Sequence, residues 1–207
     1  MARYTGPKNR LSRRENMDLG MKTPGSHAHA QLLKRLGQLP GFHGSKGSRR
    51  KTSGFGIQLR EKQKVKRMYG VLERQFRNAF EKAKKEKGNT GEGLLKLMEG
   101  RLDNVVYRLG LAPTRASARQ FISHGHVTVN GAKVNIPSYG VTINEVIAMK
   151  TGALEIPAVK KSIEDAGHQL PSWLERKGPV GKVIALPKRE DLNEDINEQL
   201  IVEFYSR

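Results

Sequence analysis

The dipeptide Asn130-Gly131 constrains this chain more tightly than any other feature. It lies in His126-Val127-Thr128-Val129-Asn130-Gly131-Ala132-Lys133-Val134-Asn135, and Asn-Gly supplies the two positive φ values that a type I′ hairpin turn demands. Such a short loop fixes the register. Val129 then faces Ala132, Thr128 faces Lys133, Val127 faces Val134 and His126 faces Asn135, so one side of the hairpin is apolar and the other polar. The apolar side needs a covering layer, and the preceding segment supplies one. Gly110 ends one helix, Thr114 is a good N-cap for another over 115–124 with Ala118, Phe121 and Ile122 as its core face, and Gly125 ends that helix in turn.

Arg115 and Arg119 stand one turn apart on this second helix, with guanidiniums about 6 Å apart, a spacing that suits successive phosphates. With His126, Thr128 and Lys133 on the polar side of the hairpin, they are expected to form one donor surface that reads a phosphate backbone and 2′-hydroxyls. A solvated hairpin gives the same pattern, so the pattern alone leaves both readings open.

Charge favours a polyanion. The 207 residues hold 38 Lys and Arg against 20 Asp and Glu, a net of +18, and self-repulsion of that size is relieved when a nucleic acid neutralises it. The excess is uneven: residues 1–92 carry 23 basic and 7 acidic side chains, residues 93–184 carry 12 and 7, and residues 185–207 carry 3 and 6. Cysteine is absent, which removes disulfides, thiolate zinc sites and cysteine nucleophiles. No apolar run approaches the roughly 20 residues of a membrane-spanning helix and no signal-peptide pattern opens the chain, so a cytosolic protein is expected.

Residues 1–53 show little apolar periodicity and read as an extended basic arm, ordered by wrapping on RNA or else a disordered solubilising tail, with at most a short helix around 28–36. Its candidate binding residues are Arg3, Arg10, Arg13, Arg14, Lys46, Arg49, Arg50 and Lys51. From Gln58 to Lys87 the apolar steps Val65, Met68, Leu72, Phe76, Phe80 and Ala83 predict two amphipathic helices broken at Gly70. Their polar faces carry Arg60, Lys62, Lys64, Arg67, Arg74 and Arg77 as further candidates. The break at 88–93 predicts a domain boundary near 92, and two short helices follow, separated near Gly100. Toward the C-terminus, Val141 with Ile143, Val146 to Met149, Val183 to Leu186 and Leu200 to Tyr205 read as strands, and Pro157 opens a helix to Gly167.

Three stretches resemble the RNA-binding module of the small-subunit ribosomal protein four family: Arg101-Leu102-Asp103-Asn104-Val105-Val106-Tyr107-Arg108-Leu109-Gly110, Arg115-Ala116-Ser117-Ala118-Arg119, and His124-Gly125-His126-Val127-Thr128-Val129-Asn130-Gly131. The likeness extends to the start Arg3-Tyr4-Thr5-Gly6-Pro7, to Leu59 through Lys64, to Glu73 through Asn78 and to the ending Ile196 through Arg207. It implies an α+β fold: a basic arm over 1–53, a mainly helical domain over 54–92 plus 185–207, and an inserted RNA-binding domain over 93–184. In that insert, short helices pack on a small, mostly antiparallel sheet, with the module at about 99–150. It implies no enzyme but a primary binder of the five-prime domain of 16S rRNA that nucleates assembly of the small subunit. It further implies a place near the mRNA entry region, an influence on translational accuracy, contact with small-subunit protein five and proximity to proteins three and twelve. mRNA stays open as a further partner, and neither a homo-oligomer nor a membrane is expected. His124 and Asn130 join the RNA-binding candidates on this likeness.

Many relatives hold zinc with four cysteines in the arm. Here Asn9, Ser12 and Ser26 stand at or near those places, and His27 and His29 are too few to replace thiolates. A zinc-free form without a resident cofactor is expected, with magnesium entering only through the rRNA. Other signals are weaker. Gly178 to Lys182 lacks the spacer and hydroxyl residue of a phosphate loop and reads as a turn. Glu99 and Asp103, one turn apart, read as helix surface or ion pairs rather than an acid and base; Trp173 reads as core. An RNA-modifying enzyme would need a catalytic domain for which no length remains, and a DNA-compacting protein would not need this module.

Overall fold

A computed structural model describes residues 4–44, 52–165, 169–192 and 195–207. In chain order the elements are α1 (Lys8–Glu15), α2 (His27–Lys34), α3 (Gly54–Met68), α4 (Glu73–Lys85), α5 (Thr90–Glu99), α6 (Leu102–Arg108), α7 (Arg115–Ser123), β1 (Val127–Val129), β2 (Ala132–Lys133) and β3 (Val146–Met149). There follow α8 (Thr151–Leu154), α9 (Pro157–Glu164), β4 (Leu174–Lys177), β5 (Val180–Val183), a 3-10 turn at Arg189–Asp191 and α10 (Glu198–Tyr205). The chain divides into two units, Met1–Gly91 with Glu194–Arg207, and Glu92–Asn193. The return to the first unit therefore falls at 194 rather than 185, because Trp173 and Leu192 are buried in the second unit.

In the first unit, α3 and α4 form because their apolar residues recur at helical steps: Val65 and Met68 are buried on α3, and Phe76, Phe80 and Ala83 on α4. The last segment is a helix, not the strand its β-branched and aromatic residues suggested. Asn197 caps it by accepting from Leu200 N–H, and Ile201 is buried while Phe204 and Tyr205 pack on Phe55 and Phe80 at ring separations of 5.6 and 4.7 Å. Tertiary packing overrides β propensity here.

The basic arm is also not extended where it is described. Residues 4–44 contain α1 and α2, and Leu19 and Leu32 are buried. Asn9 Nδ2 donates to the Ala28 carbonyl at 3.1 Å, His29 Nε2 lies 2.7 Å from Asp18, and Arg13 donates to the Gln38 and Leu39 carbonyls at 3.0 Å each. The buried Glu15 then ties α1 to Arg60 and Arg67 on α3. Helices of eight residues are marginal alone, so these cross-links supply what the periodicity lacked. The arm candidates Arg3, Lys46, Arg49, Arg50 and Lys51 lie outside the described residues.

In the second unit a five-stranded antiparallel sheet, in the order β2-β1-β3-β5-β4, packs one face under the helices. The hairpin has the register read from the sequence, Thr128 opposite Lys133 and Val129 opposite Ala132, with φ of 49° at Asn130 and 81° at Gly131. Leu102, Val105, Val106 and Leu109 of this unit meet Ile122, Val127, Ile147 and Val183 in one core. Gly181 permits that approach, since a Cβ there would lie 2.5 Å from Leu109 methyl carbons. Three C-terminal expectations shift. Around Val141 there is only an isolated bridge between Gly140 and Arg101; the strand expected at 183–186 is β5, at Val180–Val183, followed by exposed Ile184 and Leu186; and α9 ends at Glu164. Gly178, at φ 59°, turns β4 into β5.

Candidate nucleic-acid interface

The helix before the hairpin starts as its sequence demands: Thr114 Oγ1 accepts from Ser117 N–H at 3.1 Å and Ser117 Oγ accepts from Thr114 N–H at 3.0 Å, a reciprocal capping box. This cap sets the rotation of α7, and that rotation aims Arg115 and Arg119 inward. Arg115 is only 6% exposed, its Nε donates to Asn104 Oδ1 at 2.7 Å, and its guanidinium lies 4.6 Å over the Tyr107 ring. Arg119 donates through Nε and Nη2 to Asp103 Oδ2 at 3.0 and 2.5 Å. Arg101 grips the same carboxylate at 3.1 and 2.9 Å, and Arg108 grips Glu99 at 3.1 and 2.9 Å. Asn104 Nδ2 donates to the Glu99 carbonyl and carboxylate.

The expectation that Arg115 and Arg119 form the open donor surface is thus corrected. Asp103 and Glu99, each 1% exposed, would be intolerable as lone buried charges, and the arginines compensate them. Sequence spacing within α7 could not reveal this, because the partners Asp103 and Asn104 stand on α6. Glu99, Asp103 and Asn104 at helical steps were the available signal. Arg101 and Arg119 meet Asp103, Arg108 meets Glu99, and Arg115 is held by the neutral Asn104 amide oxygen.

The cluster at the open corner is smaller. Gly125, at φ +74°, leaves room for the Lys133 side chain, whose Cε would lie 2.2 Å from a Cβ at that position. The rings of His124 and His126 are 6.1 Å apart, His124 being exposed and His126 half-buried. Lys133, His124 and His126 therefore share this corner. Thr128 and Asn130 also bond within the sheet: Thr128 Oγ1 donates to the Ala148 carbonyl at 3.2 Å, and Asn130 Oδ1 accepts from Val146 N–H at 2.9 Å. A further arginine that the sequence did not mark, Arg176, donates to the Leu109 and Ile163 carbonyls at 2.9 and 2.7 Å.

In the first unit the expected cations divide sharply. Those of α3 are paired: Arg60 and Arg67 with Glu15, Lys62 and Lys66 with Glu73 at 2.7 and 2.8 Å, and Lys64 with Glu61 at 2.8 Å. Lys62 is buried, with its ammonium 4.3 Å from the Phe204 ring centre. Arg60, Lys62, Lys64 and Arg67 were expected on a polar face and are instead cross-links within the unit. Burial pushes the Glu15 carboxyl above its usual 4.5 despite Arg67 and Arg60. At Glu73 burial also acts upward, but hydrogen bonds from Lys62, Lys66 and Tyr205 outweigh it and hold the carboxyl at about 2. Arg10, Arg14, Arg74 and Arg77 are exposed, whereas Arg13 is held by the Gln38 and Leu39 carbonyls.

The zinc positions of relatives do not fit that ion. Asn9 and Ser12 present neutral, buried oxygens, Ser26 caps α2, and His29 is engaged by Asp18. Neutral amide and hydroxyl groups are poor substitutes for thiolates. Among the described residues no three His, Asp or Glu side chains are placed to hold a metal, and no helix is long and apolar enough to cross a membrane.

A basic two-unit scaffold, with Glu15, Glu99 and Asp103 held by arginines and cations such as Arg74, Arg77 and Lys133 exposed on its surface, defines the class: a structural protein that binds a folded polyanion. Residues 3–99 match the ribosomal protein S4/S9 N-terminal domain, and residues 100–147 match the S4 domain. Small ribosomal subunit protein uS4 of Aeromonas hydrophila is 51% identical over 210 residues, and those of Parabacteroides distasonis and Chloroflexus aurantiacus are 50% identical over 209 and 213 residues, each match covering 100% of both chains. The chain belongs to the uS4 family of small-subunit ribosomal proteins, which are structural and not enzymes.

Proposed function

We propose that this protein is a primary binder of the five-prime domain of 16S rRNA, that it nucleates assembly of the body of the cytoplasmic small subunit, and that it contributes to accuracy near the mRNA entry region. The observation that carries this reading is the division of cations into two sets: one is paired within the units, as Arg60 and Arg67 are with Glu15, and the other, including Arg74, Arg77 and Lys133, stands exposed on the surface. Rigid presentation of unneutralised cations suits an RNA of fixed shape. In the second unit Lys133, His124 and His126 meet RNA directly, while Arg115 and Arg119 hold α7 to Asn104 and Asp103 of α6. Arg10, Arg14, Arg74 and Arg77 serve in the first unit, with Arg3, Lys46, Arg49, Arg50 and Lys51 as further RNA contacts. No cofactor enters, and magnesium arrives with the rRNA. Small-subunit protein five is the neighbour expected in contact, with proteins three and twelve nearby. Reconstitution tests the reading: omitting this protein from a staged assembly on 16S rRNA should block the later five-prime-domain proteins, and assembly that proceeds unchanged would refute nucleation.

A further inference from the structure

Of the ten asparagines in the chain, Asn130 alone precedes a glycine. The hairpin requires the pair, since a type I′ turn needs positive φ at both central residues, and Asn130 and Gly131 stand at 49° and 81°. The same pair is chemically reactive. The backbone nitrogen that follows an asparagine can close a five-membered ring on the side-chain amide carbon, and glycine, having no Cβ, crowds that closure least.

Three features of the fold leave the reaction open. Asn130 and Gly131 are both exposed at the hairpin tip. Among the described residues the Gly131 N–H has no acceptor, whereas the Asn130 N–H is bound to the Val146 carbonyl at 2.8 Å. The Asn130 side chain is held by its oxygen only: Oδ1 accepts from Val146 N–H at 2.9 Å, and Nδ2, the group that must leave, bonds to no described residue. The Val146 N–H therefore sits on the oxygen that gathers negative charge when the amide carbon is attacked. In enzymes one such main-chain donor is worth about 10²- to 10³-fold in rate.

We propose that Asn130-Gly131 is a site of spontaneous modification, at which the native chain converts its own asparagine to aspartate and isoaspartate. The Gly131 nitrogen, its proton passed to water, bonds to Asn130 Cγ, the Cγ–Nδ2 bond breaks, and ammonia leaves behind a cyclic imide. Water then opens the ring. Attack at Cγ gives aspartate, and attack at the main-chain carbonyl gives isoaspartate, so one water is consumed for each ammonia released. Aspartate keeps an acceptor for Val146 N–H and adds a negative charge to the hairpin that carries Lys133. Isoaspartate routes the backbone through Cβ, which lengthens the two-residue loop and disturbs the pairing of Val129 with Ala132.

The test incubates the native protein beside the same chain in urea, at neutral and mildly alkaline pH, and follows with trypsin, which releases residues 120–133 as one peptide. Mass spectrometry reads the amide-to-acid change, and an isoaspartyl methyltransferase with labelled S-adenosylmethionine marks isoaspartate. The native chain should convert Asn130 at least as fast as the denatured one, faster at the higher pH because the attacking nitrogen must lose its proton, with label on the 120–133 peptide ahead of every other. Asn130→Gly keeps a turn that tolerates both φ values and has no side chain to react, so that peptide should take no label. Gly131→Ala, whose added Cβ meets nothing within 4 Å, should convert more slowly than the parent. Conversion in urea without conversion in the native chain would overturn the proposal, as would label that appears equally on other asparagine peptides.

Discussion

At the scale of single residues, the arginines of α7 serve the fold before they serve any ligand. Arg119 shares Asp103 Oδ2 with Arg101, so its loss leaves that carboxylate held by Arg101 alone. Arg119→Ala should therefore cost about 1.5–3 kcal/mol, the worth of a hydrogen bond to a charged group, and lower the melting temperature, with RNA affinity falling in consequence; a variant that melts like the parent would contradict the network's structural role. Lys133 is exposed and lies across Gly125, so Lys133→Ala should do the reverse. Melting should stay put while affinity for the 16S five-prime transcript drops by about 1.5–3 kcal/mol, the worth of a hydrogen bond to a charged group. Titration by fluorescence anisotropy, paired with calorimetry, separates the two kinds of failure.

At the scale of elements, α3 and α4 are joined through Glu73, and acid should loosen that joint. The Glu73 carboxyl falls from 4.5 to about 2 in the folded state, so its contribution is complete above pH 4.5 and is lost as pH falls toward 2. Glu15 has the opposite sign, its folded value being raised, so its burial weighs against the fold above that value and is relieved as it protonates. Glu73→Gln should flatten the stability loss between pH 4.5 and 2 relative to the parent, measured by urea melts at each pH; parallel curves would contradict the linkage. Legibility in the sequence followed the same divide between local and distant causes. The turn and register of the β1–β2 hairpin and the start of α7 were readable because Asn130-Gly131 and Thr114 act on their own neighbours. The short helix around 28–36 is α2, but α1 and α10 were not readable, because what orders them is far along the chain: Glu15 with Arg60 and Arg67, and Tyr205 with Phe80. The inward turn of Arg115 was hidden for the same reason, its partner Asn104 standing on another helix.

At the scale of the whole molecule, the first unit is closed by the last residues of the chain, whereas the second is one continuous stretch. The second can complete its core as soon as residue 193 is available, and the first must wait for α10, so during synthesis the inserted unit should fold first. Truncation at Asp195 removes buried Ile196 and Ile201 and the Tyr205 ring, each such loss being worth about 2–5 kcal/mol. The truncated chain should lose protection of α3 and α4 in hydrogen exchange while a 92–193 fragment folds by itself; full protection of α3 in the truncated chain would contradict the account. The central claim is that a scaffold cross-linked by its own ion pairs presents its exposed cations to one RNA shape. The most direct measurement is the affinity ratio, at physiological salt, between the 16S five-prime-domain transcript and an RNA of equal length and shuffled sequence. A preference of about a thousandfold or more, the lower end of specific recognition, is the predicted result, and equal affinity for the two RNAs would contradict it.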